Sequence, residues 1–117
     1  MYKMELKPGA FIITISGFIK EDEAQAFIKD YKENITKFIP SQTNLILDGS
    51  KLATSSANML PTLEACLKMY ISDNFKNIYL TELESVTATM QLRNLNATQF
   101  FNKIKLCKSV SDAMSQF

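Results

Sequence analysis

After Tyr2 to Leu6, a Lys7-Pro8-Gly9 turn leads into Ala10 to Ser16, where Phe11, Ile13 and Ile15 share one face of an extended strand. The pattern predicts an N-terminal β-hairpin. From Glu21 the period changes, and Ala24, Phe27, Ile28, Tyr31, Ile35 and Phe38 recur at helical spacing. Glu21, Asp22 and Glu23 suit the positive end of that helix, and Pro40 ends it. Leu45-Ile46-Leu47 is apolar on both faces, the signature of a central strand covered on both sides, and Asp48-Gly49 marks its exit from the sheet.

A second helix carries Leu60, Leu63, Cys66, Leu67, Tyr70 and Ile71 on one side. Proline is tolerated only in a first helical turn, so Pro61 fixes the start and makes Asn58 the expected N-cap, with Ser55 and Ser56 just ahead of it. Lys76 to Leu80 reads as the next strand, Ser85 to Asn94 as a weaker helix, and Ser109 to Met114 as a short closing one. Between these last two, Ile104 and Leu106 alternate with Lys103 and Lys105, as on an edge strand with one wet face. The order β-β-α-β-α-β-α-β-α predicts an α/β domain over residues 1–117: a mixed, mainly parallel sheet of about five strands with about four helices.

Composition narrows the function. The 117 residues are 46% hydrophobic, enough for one core, and 13 basic against 12 acidic residues leave no basic stripe for a nucleic-acid backbone. The first ten residues lack the apolar region of an export signal, and no run approaches the roughly 18 apolar residues of a membrane span. Cys66 and Cys107, on a helix face and at a strand end, suit buried free thiols, so a cytoplasmic location is expected. With no histidine, no metal-ligand cluster and no phosphate-binding glycine motif, the chain offers no catalytic residue, no metal site and no cofactor site.

The candidate chemistry lies between Thr43 and Leu63, where a strand runs into a serine-bearing loop and then a helix. Hydroxyls beside a helix N-terminus suit a phosphate or an anionic group of a partner. The same hydroxyls suit plain capping and loop shaping. Asp48 either finishes its strand or orients a partner, and Met59 is expected as an exposed apolar contact at the loop mouth.

Ile13 to Ile19 (ITISGFI), Leu45 to Leu52 (LILDGSKL), the helix LPTLEACLKMY, the strand KNIYL and the closing KIKLCKSVSDAM, in this order and spacing, resemble the STAS family, the fold of bacterial anti-sigma factor antagonists. The resemblance implies a regulatory, non-enzymatic module that docks on a protein partner, typically an anti-sigma factor that is also a kinase, and is switched by phosphorylation. The family's acceptor lies in an Asp-Ser-Ser/Thr-Gly motif at the start of the second helix. Placed without a gap, that motif falls on Ser56-Ala57-Asn58-Met59, and Asn58 replaces the acceptor. Shifted by two, it falls on Thr54-Ser55-Ser56-Ala57, with Ser56 as acceptor and the aspartate missing. Ser55 and Ser56 are therefore the phospho-acceptor candidates, and Asp48, Ser50, Thr54, Asn58 and Met59 the candidate partner contacts. Related domains also serve in stress scaffolds and as accessory subunits of lipid or anion transporters. A different class of function is a small-ligand carrier for a lipid or nucleotide, favoured by an apolar pocket against the second helix lined by Met59, Leu63 and Phe75.

Overall fold

The computed structural model describes residues 1–117. Five strands, β1 (Tyr2–Lys7), β2 (Ala10–Ile15), β3 (Asn44–Asp48), β4 (Asn77–Thr81) and β5 (Lys105–Cys107), form one sheet in sequence order. β1 and β2 pair antiparallel through the expected hairpin, whose turn puts Gly9 at a φ of 77°, a conformation that glycine adopts without strain. The remaining neighbours run parallel, with Phe11 beside Leu45 and Leu45 beside Ile78. Five helices complete the chain: α1 (Glu21–Asn34), α2 (Leu60–Ser72), α3 (Val86–Arg93), α4 (Thr98–Lys103) and α5 (Val110–Met114).

Strand alternation divides the core in two. Phe11, Ile13, Leu45, Leu47, Ile78 and Leu80 point to one face, where Phe27 and Tyr31 of α1, Leu67 and Tyr70 of α2 and Phe100 of α4 cover them. Ala10, Ile12, Ile46, Tyr79 and Cys107 point to the other, and Ala113 of α5 packs on them with Val110 and Met114. The double covering expected for Leu45-Ile46-Leu47 is thus present, and all three residues are buried.

Three expectations shift. α1 ends at Asn34, a 3-10 turn spans Ile35–Lys37, and Phe38 is extended, because its ring has to turn inward to pack on Phe11 and Phe75. Thr98–Lys103, expected to lead into a strand, is a fifth helix that drives Phe100 into the core, so Lys103 is helical and β5 shrinks to three residues. Leu106 lies exposed at the sheet edge rather than on an inner face. The third shift, at the start of α2, falls within the candidate site.

Candidate functional site

The loop between β3 and α2 leaves the carboxyl ends of the parallel strands, the usual place for function on an open α/β sheet. Its first turn is built on Asp48. One carboxylate oxygen, Oδ1, accepts from the Ser50 amide at 3.3 Å, the Ser50 hydroxyl at 2.9 Å and the Thr81 hydroxyl at 3.3 Å. Thr81, itself buried, accepts from the Gly49 amide at 3.0 Å, so the turn is tied to the end of β4. Asp48 and Ser50 are therefore brought together as a structural pair.

The middle of the loop is stitched to the segment after β2. Gly17 donates to the Lys51 carbonyl at 3.0 Å and accepts from the Ala53 amide at 3.1 Å, a single parallel bridge opposite Leu52. Gly17 has a φ of 69°, which lets it serve both bonds and turns the chain so that Phe18 stands outward, 68% exposed. On the other flank Glu84 donates its amide to Ser50 and pairs its carboxylate with Lys51 at 2.7 Å. Further along, Gln91 of α3 grips the main chain of Ser55 from both sides, accepting from its amide at 2.7 Å and donating to its carbonyl at 2.8 Å.

Beyond this clasp the structure departs from the sequence-based expectation. Ala57–Met59 forms a 3-10 turn, α2 begins only at Leu60, and Met59 rather than Asn58 is the N-cap. The cause is apolar: Met59 is 4% exposed, and the extra turn is what tucks its side chain under the loop. The exposed contact expected of Met59 is thereby replaced by an anchor. Asn58 instead stands in solvent and accepts from the Ser56 hydroxyl at 2.5 Å. Because Ser56 precedes the 3-10 turn and Pro61 lacks a backbone donor, the positive end of α2 lies away from the serines.

Of the two acceptor candidates, Ser55 is half-buried with its main chain held, and Ser56 is exposed. Thr54 is half-buried between them and the bridge. Ser56 shares a shallow depression with Phe18, Lys20, Glu21 and Asn58. No base lies against its hydroxyl, since its hydrogen-bond partner is an amide, so the arrangement suits modification or contact rather than nucleophilic attack.

No family model matches the sequence, and no curated protein does. Solved structures do match. The anti-sigma factor antagonist SpoIIAA in its unphosphorylated form superposes with a TM-score of 0.70 at 8% identity, over 99% of this chain and 95% of its own. The chain has the fold of an anti-sigma factor antagonist. An antagonist from Mycobacterium paratuberculosis gives 0.63 at 17% identity, covering 99% and 92% of the two chains. The NMR structure of protein TM1081 gives 0.66 at 16%, covering 99% and 87%.

Thr81, Gln91, Gly17 and Phe18 are the residues of this site that sequence reading passed over. Gly17 alone carried a local signal, as a glycine closing an apolar strand; the partners of Thr81 and Gln91 lie more than thirty residues away.

No helix is long and apolar enough to cross a membrane. Cys66 is half-buried and Cys107 buried, both as free thiols; burial raises the Cys66 thiol to about 11 and also raises that of Cys107.

Proposed function

We propose that the chain is a non-enzymatic, cytoplasmic regulatory module, its residues 1–117 acting as one domain, that docks on a protein partner through the loop from Asp48 to Asn58 and the exposed Phe18 beside it. The observation that carries this reading is the contrast within the loop: Gly49 to Ser55 is fixed to three separate parts of the fold, while Ser56 and Asn58 stand free on top of it. A rigid platform with exposed polar groups is pre-organised for recognition and loses little freedom on binding. The likeness in fold to anti-sigma factor antagonists over nearly the whole chain supports the same class of partner, an anti-sigma factor or a related scaffold protein.

Ser56 is the candidate switch. A phosphate there adds about −1.5 to −2 charges to the centre of the platform. Lys20 attracts it and Glu21 repels it, so the group stays solvated on the docking face and disrupts a neutral interface. Ser55 is the weaker acceptor because a kinase would have to break the Gln91 clasp to reach it.

The test is peptide mapping of the protein purified from its native cells, combined with co-purification of the wild type, Ser56→Ala and Ser56→Asp. The expected result is a phosphate on Ser56 and one partner retained by the alanine variant and lost by the aspartate variant. An unmodified Ser56 together with full partner retention by Ser56→Asp overturns the switch.

A further inference from the structure

The apolar cavity beneath the loop, about 100 Å³, is lined by Leu63 but by neither Met59 nor Phe75, so it is not the ligand pocket expected from the sequence. The unsatisfied part of the fold lies at the rim of the sheet. β1 and β5 are its two edge strands. β5 is blunted: it has three residues, and the outward amide that follows it, at Lys108, donates to the Asp112 carboxylate at 3.1 Å. β1 has six residues and no strand on its outer side.

Which groups β1 leaves open follows from its pairing with β2. Met1 and Ser16 exchange both main-chain bonds, each at 2.8 Å, and the register runs unbroken from Tyr2 opposite Ile15 to Lys7 opposite Ala10. In an antiparallel pair such an exchange recurs at every second residue, so Lys3, Glu5 and Lys7 turn their amides and carbonyls to β2. Tyr2, Met4 and Leu6 turn theirs outward, and none of these groups bonds to another part of the chain. The strand is nevertheless held in place. The Tyr2 ring packs edge-on against Phe27 with centroids 5.2 Å apart, its hydroxyl donates to Asp30, and the Asn34 amide reaches the Met4 sulfur at 3.6 Å. β1 is thus a fixed template about 20 Å long with unpaired donors and acceptors along one side. On the sheet face away from Phe27 its side chains alternate in sign as Lys3, Glu5 and Lys7, with Lys3 and Glu5 paired at 2.5 Å.

We propose that β1 is a self-association site, at which two copies of this chain join their β1 strands antiparallel about a two-fold axis at Met4 and make one continuous sheet. The sequence selects this register. With the axis at Met4, the two Met4 residues meet, Tyr2 meets Leu6 of the second copy, and every outward amide and carbonyl of β1 gains a partner. Lys3 then stands opposite Glu5 of the second copy, twice over. Lys7 falls opposite Met1, whose amino group is already paired with Glu23 at 2.9 Å. An axis at Lys3 or at Glu5 sets that residue against its own like charge. An axis at Leu6 brings Met4 to Pro8, which has no amide to give, and leaves Tyr2 unpaired. The Met4 register also covers Leu6, 45% exposed in the single chain, with Tyr2 of the second copy. The site uses no residue of the loop from Asp48 to Asn58, so it goes beyond the docking role proposed above. One strand pair is a small interface, and the dimer is a weak one that forms at about 0.1–1 mM.

The experiment is sedimentation equilibrium of the full chain from about 10 µM to 1 mM, with amide hydrogen exchange at both ends of that range. The mass is expected to rise from 13.3 kDa towards twice that value. The amides of Met4 and Leu6 are expected to slow with concentration, while those of Lys3 and Glu5, already bonded to β2, change far less. Met4→Pro removes an amide that only the dimer uses and weakens association at least about tenfold. Charge exchange keeps the test intact if that variant fails to fold. Lys3→Glu and Glu5→Lys each weaken self-association about tenfold, and an equal mixture of the two restores it, as does the doubly exchanged variant. A mass that stays at 13.3 kDa throughout overturns the proposal. So does a dimer that the single charge variants leave unchanged, a mixture that associates no better than either variant alone, or β1 amides that slow only when a different protein is added.

Discussion

Replacing Gln91 by alanine removes the two hydrogen bonds that hold the main chain of Ser55, at 2.7 and 2.8 Å. A hydrogen bond contributes about 0.5–1.5 kcal/mol net, so the pair is worth about 2 kcal/mol if water cannot replace it. Ser55 is half-buried, which lets water recover part of this and leaves about 1–2 kcal/mol. That loss is local, because both hydrogen bonds of the Gln91 side chain end on the main chain of the loop. Hydrogen exchange reads it directly: the Ser55 amide exchanges about 5–30-fold faster in Gln91→Ala, at about tenfold per 1.4 kcal/mol. The Ile46 amide, deep in the sheet, keeps its protection apart from the small global change. Should Ser55 exchange within twofold of the wild-type rate, the clasp does not hold the loop and the rigid-platform argument fails. A uniform acceleration of Ser55 and Ile46 refutes it differently, by showing that Gln91 stabilises the whole fold. Gln91→Glu separates the two bonds, since it keeps an acceptor for the amide and turns a carboxylate oxygen on the Ser55 carbonyl.

Tyr31→Phe deletes the buried hydroxyl that donates to Asp73 at 2.6 Å and leaves that carboxylate short of a partner, so chemical denaturation should show a loss of about 1–3 kcal/mol with an unchanged m-value. Gly17→Ala meets open space but forces a side chain into a left-handed backbone conformation; the cost is about 1–2 kcal/mol, and Gly17→Asn, which tolerates that region better, should recover part of it in the same assay. Burial holds the Cys66 thiol at about 11, above its unfolded value of 9.0, so the thiol's contribution to stability is intact below pH 9 and fades as pH rises through 11. Alkylation of Cys66, followed by mass spectrometry, accordingly rises about tenfold per pH unit from pH 7 to 10, and a plateau near pH 9 contradicts the assignment.

Most of the fold could be read from local pattern because the pattern is strong where the sheet is central. The Lys7-Pro8-Gly9 turn, the two-sided apolar run at Leu45-Ile46-Leu47 and the acidic first turn of α1 each follow from residues within a few positions of one another. α4 escaped because six residues hold less than two helical turns, and the adjacent pair Phe100 and Phe101 fits neither period cleanly. The start of α2 escaped for another reason: Asn58 is the better capping residue, and the tertiary burial of Met59 overrode that preference. Within the candidate site, the exit of the strand at Asp48-Gly49 was legible from the change of composition there, whereas the bonds from Ser50 to Asp48 were not read in advance. The grip of Gln91 on Ser55 and the tie of Thr81 to Gly49 join distant segments, and nothing in the local sequence of either partner signals them.

The two faces of the sheet are covered very unequally. Long helices seal one side, whereas Ile12, Ile46 and Tyr79 depend on α5, five residues long and capped by the hydroxyl of Ser109. A ribosome delivers α5 later than every residue it shelters, so during synthesis the sheet carries a bare oily strip until Val110–Met114 have cleared the exit tunnel. Val110–Met114 is thus the helix that closes this face of the sheet, and chaperone capture of nascent chains should concentrate on the interval before it docks.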